Sequence, residues 1–483
     1  MENHSSVHNT RIYDNILQVI GNTPLVRLNK IHKDHGLECE MFVKCEFLNP
    51  GGSIKDRISY TMVQEAERSG LARPGTRFVE PTSGNTGIGV SLAAAVCGYG
   101  CTIVTPDKNS DEKMSTISLL GAEVVQTPAM APYGDPKNFA SVAKKILESD
   151  PNAISLDQYK NHINPWTHYE YTAEEVLSAV GEMDMIVMGA GTGGTVAGVA
   201  RKVKEKCPKC IVVAVDPEGS IMFEKGKPKL FFVEGIGGDF IPDVLDKTHV
   251  DKVIRPNDYE SFNMSRELIR KEGLLCGGSS GAAMFSAIKA AKELKLGAGQ
   301  RVVVILPDGI RNYMTKFVCD QWMEAHLFKE PPERDYMWWN RSISNLKVDR
   351  SVPRVPEVSS CRSVIAAMGS QHKVAIVIGD DGFFKGVVTK DSLRSEATNP
   401  KRKGETLDFS DPVNRHLIKT YYKIVENRGR PTVGLASRIL DIAPFVIIVE
   451  EFQKHNNLLG YIPKGIVTSD IMLDFIVQHQ HNI

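Results

Sequence analysis

The stretch Asn49-Pro50-Gly51-Gly52-Ser53-Ile54-Lys55-Asp56-Arg57 sets a Pro-Gly-Gly turn directly before a helical run and delivers one lysine to the helix start. The glycines allow positive φ and close approach of backbone or ligand, and Ser53 is placed to cap the amphipathic run Ile58 to Ala66. A lysine at the positive end of a helix dipole has its ammonium form disfavoured and its free amine favoured. A free amine is what Schiff-base chemistry with an aldehyde requires. Taken alone, the segment reads more readily as an ordinary solvated first-turn lysine after a common Gly-Gly turn.

Two further glycine-rich turns shift that balance, each lying after an apolar run and before a helical one. The first, Glu80-Pro81-Thr82-Ser83-Gly84-Asn85-Thr86-Gly87, follows Arg77-Phe78-Val79 and opens the run Ile88 to Val96. The second, Gly189-Ala190-Gly191-Thr192-Gly193-Gly194-Thr195, follows Met185-Ile186-Val187-Met188 and precedes Val196 to Val203. Small hydroxyl and glycine residues at a strand-to-helix turn aim backbone N–H groups and the helix dipole at an anion, so the second loop reads as a phosphate cradle.

Outward from these turns, strand-like and helical runs alternate. This predicts an α/β fold with mostly parallel sheets covered on both faces. Strands are expected at Met41 to Val43, Cys101 to Val104, Glu123 to Val125, Met185 to Met188, Ile211 to Val215 and Val302 to Leu306. Helices are expected at Ile88 to Cys97, Glu112 to Leu120, Phe139 to Glu148 and Ala282 to Lys295. Ligands in such folds bind at the carboxyl ends of the strands, where the glycine-rich turns fall.

A chain of 483 residues exceeds what one hydrophobic core usually supports. The charged Pro-Pro stretch Lys329 to Asp335 breaks any helix, and the aromatics Tyr336, Trp338 and Trp339 after it are expected to dock on the preceding domain. Beyond it the order strand, turn, strand, helix occurs twice, at Val374 to Asp391 and at Phe445 to Val477. The expected organisation is a disordered tail over 1–10, a first domain over 11–328, a linker over 329–352 and a duplicated unit over 353–483, with its two motifs in 353–400 and 410–483.

The formal net charge of zero removes any bulk electrostatic argument for nucleic acid or anionic membrane. Met1 to Thr10 is polar, so it reads as neither a signal peptide nor a transmembrane segment. Nine cysteines without a framework of spacings point to reduced thiols in a cytoplasmic protein. Cys207-Pro208-Lys209-Cys210 has CxxC spacing but lacks the second ligand pair a zinc site needs, so no metal is expected; a helix end running into a strand is the favoured reading and a redox-responsive disulfide the lesser one.

Five ordered segments then carry a resemblance: Gly21-Asn22-Thr23-Pro24-Leu25, the Lys55 turn, Ser83-Gly84-Asn85-Thr86-Gly87, Gly191 to Thr195, and Gly277-Gly278-Ser279-Ser280-Gly281. Together they are similar to the fold-type II pyridoxal phosphate enzymes, and within them to the cystathionine β-synthase and cysteine synthase family. The duplicated C-terminal unit resembles a tandem pair of CBS domains, the Bateman module that binds adenosyl ligands in many proteins.

The resemblance implies pyridoxal 5'-phosphate as cofactor, in Schiff-base linkage with Lys55 and with its phosphate held by Gly191, Thr192, Gly193, Gly194 and Thr195. Asn85 matches the asparagine that hydrogen-bonds the ring hydroxyl, and Ser279 the serine that faces the ring nitrogen. A neutral partner there favours β-replacement over transamination or racemisation. Lys55 would also be the base that removes and returns the α-proton, with an aminoacrylate between the two half-reactions. Thr82, Ser83, Asn85, Thr86 and Gln158 match the set that binds the substrate carboxylate, with Tyr159 and Gly235 on the rim of the site. Thr82 taken singly is as well explained by turn chemistry.

The implied reaction condenses L-serine, with O-acetylserine as an alternative donor, and L-homocysteine to L-cystathionine in transsulfuration. Tyr159, the segment Arg311 to Lys316 and the C-terminal pair favour this over an O-acetylserine sulfhydrylase or a hydrogen-sulfide-producing activity. Against it, Gly238 stands where the family usually has tyrosine. A catalytically silent nucleotide-sensing protein is the remote alternative, opposed by intact Lys55, Asn85 and Ser279. Thr389-Lys390-Asp391 and Thr468-Ser469-Asp470 carry the aspartate closer to the threonine than the usual ribose-binding spacing, which argues against S-adenosylmethionine binding. Haem is expected to be absent, because His4 and His8 have no cysteine beside them before Cys39. Small amino acids are the implied partners, and a homodimer or higher homo-oligomer the implied assembly.

Overall fold

The computed structural model describes residues 12–82, 84–106, 109–127, 134–136, 138–398, 407–418, 421–453 and 459–480. The expected tail with His4 and His8, and Ser83 of the expected substrate set, lie outside the described residues. The chain forms two compact units, Met1–Met314 and Thr315–Ile483.

The N-terminal unit contains two sheets. The larger runs in the order Leu25–Arg27, Glu40–Cys45, Arg301–Leu306, Met185–Gly189, Ile211–Val215, Lys252–Ile254, parallel throughout except at the first pair. The smaller is fully parallel, in the order Glu123–Thr127, Gly100–Pro106, Arg77–Pro81, Ala153–Ile154. Apolar residues on consecutive positions, as in Met185, Ile186, Val187 and Met188, are all buried, as a strand covered on both faces demands. Each such aliphatic side chain contributes roughly 1.5–3 kcal/mol on burial.

The helices Lys55–Arg68 and Asn85–Cys97 pack closely because Gly89 has no side chain: a Cβ there would lie 2.5 Å from Ser59 Oγ. No element is predicted from the sequence over 163–180, yet Ile163–Thr167 and Ala173–Val180 are helical and joined by a π-turn at His168–Thr172. The signal was masked by Pro165, which is tolerated because it sits in the first turn.

The C-terminal unit holds two three-stranded sheets of the same design. In each, the first strand pairs parallel and the last antiparallel with the central one: Arg354–Pro356, Val374–Ile378, Phe384–Thr389, and Tyr422–Val425, Phe445–Gln453, Leu459–Thr468. Both hairpins shift register at the matching place, Val377/Ile378 and Ile448/Val449, beside Gly386 and Gly465. The duplication seen in the sequence is therefore repeated down to its irregularity.

Two features differ from expectation. Trp338 and Trp339 are buried within the C-terminal unit against Val433, Ile439 and Val467, instead of standing exposed as a docking surface. The helix Asp320–Ala325, which the sequence places before a boundary at 328, packs in that same unit, where buried Glu324 pairs with Arg438 at 2.9 Å. A buried carboxylate needs its cation, and the cation lies in the C-terminal half.

The Lys55 turn is anchored by a buried charge cluster. Arg57 donates to Glu46 through Nε (2.7 Å) and Nη2 (2.9 Å), and to both oxygens of Glu175 at 2.7 Å. Lys44 Nζ donates to Glu175 and to the Thr23 carbonyl, each at 2.5 Å. Glu46 also accepts from the Thr23 hydroxyl (2.6 Å) and Asn49 Nδ2 (2.9 Å), and Asn49 Oδ1 accepts the Gly21 N–H (2.9 Å).

Burial alone would raise the pKa of Glu175, but hydrogen bonds and charge from Arg57 and Lys44 hold it at about 2, against an ordinary 4.5. A carboxylate depressed on folding adds stability that is complete above its unfolded pKa and is lost as pH falls through its folded one. Glu175→Gln is therefore expected to cost about 3 kcal/mol of unfolding free energy at neutral pH. Denaturant titrations should show the gap between wild type and variant closing as pH drops from 4.5 toward 2.

Candidate active site

Lys55 opens the helix Lys55–Arg68, and its N–H is accepted by Ser53 Oγ at 3.1 Å. Its Nζ lies 3.4 Å from Thr192 Oγ1. Burial lowers the pKa of the amine to about 8. The expected direction therefore holds, and its cause is desolvation, where the sequence had suggested the helix dipole.

Lys55, Gly191, Thr192, Gly193, Thr195 and Gly235, among others, line one pocket. Gly194 begins the helix Gly194–Lys206 beneath it, and Gly193 takes the left-handed φ of +91° that delivers the chain into that helix. A Cβ on Gly191 would run into the Gly235 carbonyl, one on Gly193 would come within 2.6 Å of Leu245, and one on Gly194 would collide with Asn164 Oδ1. That oxygen is buried without a hydrogen-bond partner among the described residues. A bare backbone cradle at a helix start, opposite an amine of lowered pKa, fits a group with a phosphate at one end and an aldehyde at the other.

Asn85 and Ser279 converge on the same place: a methyl group on Gly235 would lie 3.9 Å from Ser279 Oγ and 4.0 Å from Asn85 Nδ2. Thr86 Oγ1 donates to Gln158 Oε1 at 2.6 Å, and Gln158 Nε2 reaches the Pro81 carbonyl at 3.5 Å. Thr82 Oγ1 accepts the Gly84 N–H at 3.3 Å, which is the turn chemistry foreseen for it. Tyr159 stands edge-on to Phe240 with ring centroids 5.1 Å apart, and it is not among the residues that line the Lys55 pocket.

Several residues that shape the site went unread in the sequence. Glu80, fully buried, accepts the N–H groups of Leu156, Asp157 and Gln158 at 3.1–3.2 Å and the Ser155 hydroxyl at 3.2 Å, and burial lifts its pKa to about 7. It thereby fixes the turn that presents Gln158. A charge in the middle of the apolar run Arg77–Pro81 was the available signal.

Asn164 Nδ2 donates to Thr192 Oγ1 (2.9 Å) and the Gln158 carbonyl (2.7 Å), tying the two loops together. Thr195 Oγ1 meets His168 Nε2 at 3.1 Å, and burial, with Lys55 and Arg57 nearby, keeps that imidazole neutral. Buried Lys113 pairs with Glu234 at 2.7 Å beside the Gly235 loop. All nine cysteines are free; Cys210 is buried, with its thiol pushed up to about 12. Among the described residues no helix is long and apolar enough to cross a membrane.

The sequence profile of the family described as "Pyridoxal-phosphate dependent enzyme" matches residues 16–308. A protein of Apis mellifera named cystathionine beta-synthase is 45% identical over 97% of this chain and 92% of its own length. The crystal structure of an O-acetylserine dependent cystathionine beta-synthase from Helicobacter pylori superposes with a TM-score of 0.59 and 36% identity, covering 63% of this chain and 98% of that one. A hydrogen sulfide-producing enzyme from Fusobacterium nucleatum superposes with a TM-score of 0.59 and 37% identity, covering 62% of this chain and all of that one.

The crowding at Gly191 makes a direct test of the cradle. Gly191→Ala is expected to weaken retention of pyridoxal phosphate at least ~10-fold, roughly 1.4 kcal/mol, and, because its Cβ meets the Gly235 backbone, to lower the unfolding midpoint as well. Equilibrium dialysis followed by absorbance of the retained cofactor measures it.

Proposed function

The chain belongs to the pyridoxal-phosphate dependent enzymes, and we propose that it condenses L-serine with L-homocysteine by β-replacement to give L-cystathionine. The observation that carries this reading is the half-buried Lys55, whose amine has a pKa of about 8, in one pocket with the Gly191–Thr195 cradle. The cofactor, when bound, supplies the electron sink at the substrate α-carbon. Lys55 supplies the proton traffic: an amine with a pKa this near neutrality can take a proton from the α-carbon and give it back. Gly191, Thr192, Gly193, Gly194 and Thr195 would hold the phosphate.

Ser279 offers the cofactor ring a neutral hydroxyl, which supports β-replacement over transamination. Asn85 would hold the ring oxygen, and Thr82, Ser83, Thr86 and Gln158 the substrate carboxylate, with Tyr159 and Gly235 at the rim. O-acetylserine is the second donor to consider. The atoms nearest to the missing side chain of Gly238 are the Phe240 carbonyl (3.3 Å) and Met222 (3.4 Å), and the similar Helicobacter pylori protein is described as O-acetylserine dependent.

The C-terminal unit serves regulation in this reading. Thr389 Oγ1 accepts the Ser392 N–H at 3.0 Å and Thr468 Oγ1 the Ile471 N–H at 3.5 Å, so both threonines cap helices, while Asp391 and Asp470 stand exposed. Their shortened spacing supports weak or absent binding of S-adenosylmethionine. A cytoplasmic homodimer or larger homo-oligomer completes the proposal.

Lys55→Ala is expected to lower cystathionine formation from serine and homocysteine by at least ~10³-fold, since no other side chain both condenses with an aldehyde and recycles as base. Mass-spectrometric product assays with serine and O-acetylserine, each against homocysteine and sulfide, check the substrate pair; turnover confined to sulfide would refute it. Calorimetric titration of the full-length protein with S-adenosylmethionine should give no saturating heat in the micromolar range and no rise in turnover.

A further inference from the structure

Asp308 touches the Lys55 turn, the loop that carries Ser279, and Asn85. It follows the strand Arg301–Leu306 and forms a backbone bridge with Ser53 in the Lys55 turn. Its carbonyl accepts the Gly277 N–H at 2.9 Å and the Ser280 hydroxyl at 3.5 Å, on either side of Ser279. Its side chain, 1% exposed, accepts Asn85 Nδ2 on Oδ2 at 2.8 Å and the Tyr313 hydroxyl on the same oxygen. Asn312 Nδ2 donates to Asn85 Oδ1 at 3.1 Å.

Asp308 Oδ2 accepts from both Tyr313 and Asn85, so the NH2 end of the Asn85 amide faces it; the flipped amide would set oxygen against oxygen. Asn312 holds the opposite end. The Asn85 nitrogen, which also reaches the Tyr313 hydroxyl, borders Gly235 and Ser279.

We propose that Asp308 is a positioning residue which, with Asn312, locks the Asn85 amide so that it can only donate a hydrogen bond to the ring oxygen of the cofactor. This rests on the cofactor placement given under Proposed function and adds the group that enforces it. Donation from a fixed N–H stabilises the anionic ring oxygen over the neutral hydroxyl. Burial raises the Asp308 pKa, and Lys113, whose Nζ lies 3.1 Å from the Tyr313 hydroxyl, opposes that rise together with the hydrogen bonds from Tyr313 and Asn85.

The test is the visible spectrum of the cofactor-loaded protein, in which anionic and neutral ring oxygens give separate long- and short-wavelength bands. Asp308→Asn frees the amide to flip and should shift the band ratio at least ~5-fold toward the neutral form, the effect of about 1 kcal/mol. Asn85→Ala should shift it similarly, and Asp308→Asn added to Asn85→Ala should change it no further.

A purely structural Asp308 would lower cofactor content and thermal midpoint while leaving the ratio unchanged, which would overturn the proposal. An equal shift on both backgrounds would overturn it too. If Asp308→Asn does not fold, Asn312→Ala removes the other half of the clamp and should move the ratio in the same direction; no movement refutes the lock. Failure of the wild type to take up cofactor would instead refute the placement on which the proposal rests.

Discussion

The architecture of the site depends on how one buried guanidinium is satisfied. Arg57, 3% exposed, lies two residues after Lys55 and is clamped between the carboxylates of Glu46 and Glu175. Those two glutamates come from different places in the chain, one after the strand Glu40–Cys45 and one in the helix Ala173–Val180. An unpaired charge at this depth would cost several kcal/mol, so the segments cannot separate independently. The cluster also takes in Thr23, Asn49 and the Gly21 N–H, and so joins the N-terminal strand to the turn that carries the lysine. The direction in which Lys55 points is thus set by its neighbour two residues on.

Around that fixed amine the pocket is built by exclusion. Three glycines in the Gly191–Gly194 stretch leave backbone where any side chain would collide with Gly235, Leu245 or Asn164. The same crowding keeps Thr192 against Asn164 and brings its hydroxyl to Lys55. Desolvation in this packing moves the lysine pKa to about 8 and keeps His168 neutral. Packing and acid–base properties are therefore one phenomenon here, because the low local dielectric that shifts the amine is produced by the close fit.

Buried polar groups divide the remaining work. Glu80 gathers three backbone N–H groups to shape the Gln158 turn, while Asp308 collects Asn85, Tyr313 and two neighbouring loops. The C-terminal unit uses apolar packing instead: its two sheets share a core of Val352, Ile376, Val387, Phe445, Ile447 and Ile466, and Trp338 and Trp339 seal the second repeat. Placing the tryptophans inside also explains why that unit begins well before the repeats themselves.

Much of this was legible in the sequence. Apolar runs between glycine-rich turns determined the strands at Met185–Gly189, Ile211–Val215 and Arg301–Leu306, since a strand buried on both faces must be continuously apolar. The Lys55 turn, the Gly191–Thr195 cradle and the C-terminal duplication were visible because glycine at a strand end and a repeated order of elements are local patterns. The helices over 163–180, the burial of the tryptophan pair, and the roles of Arg57, Glu80, Asn164 and Asp308 were decided by tertiary structure alone. Each of those depends on a partner tens or hundreds of positions away, such as Asn85 with Asp308 or Arg57 with Glu175. Local sequence encodes where the backbone can turn, whereas the fate of a buried charge is settled by which distant group folding brings to meet it.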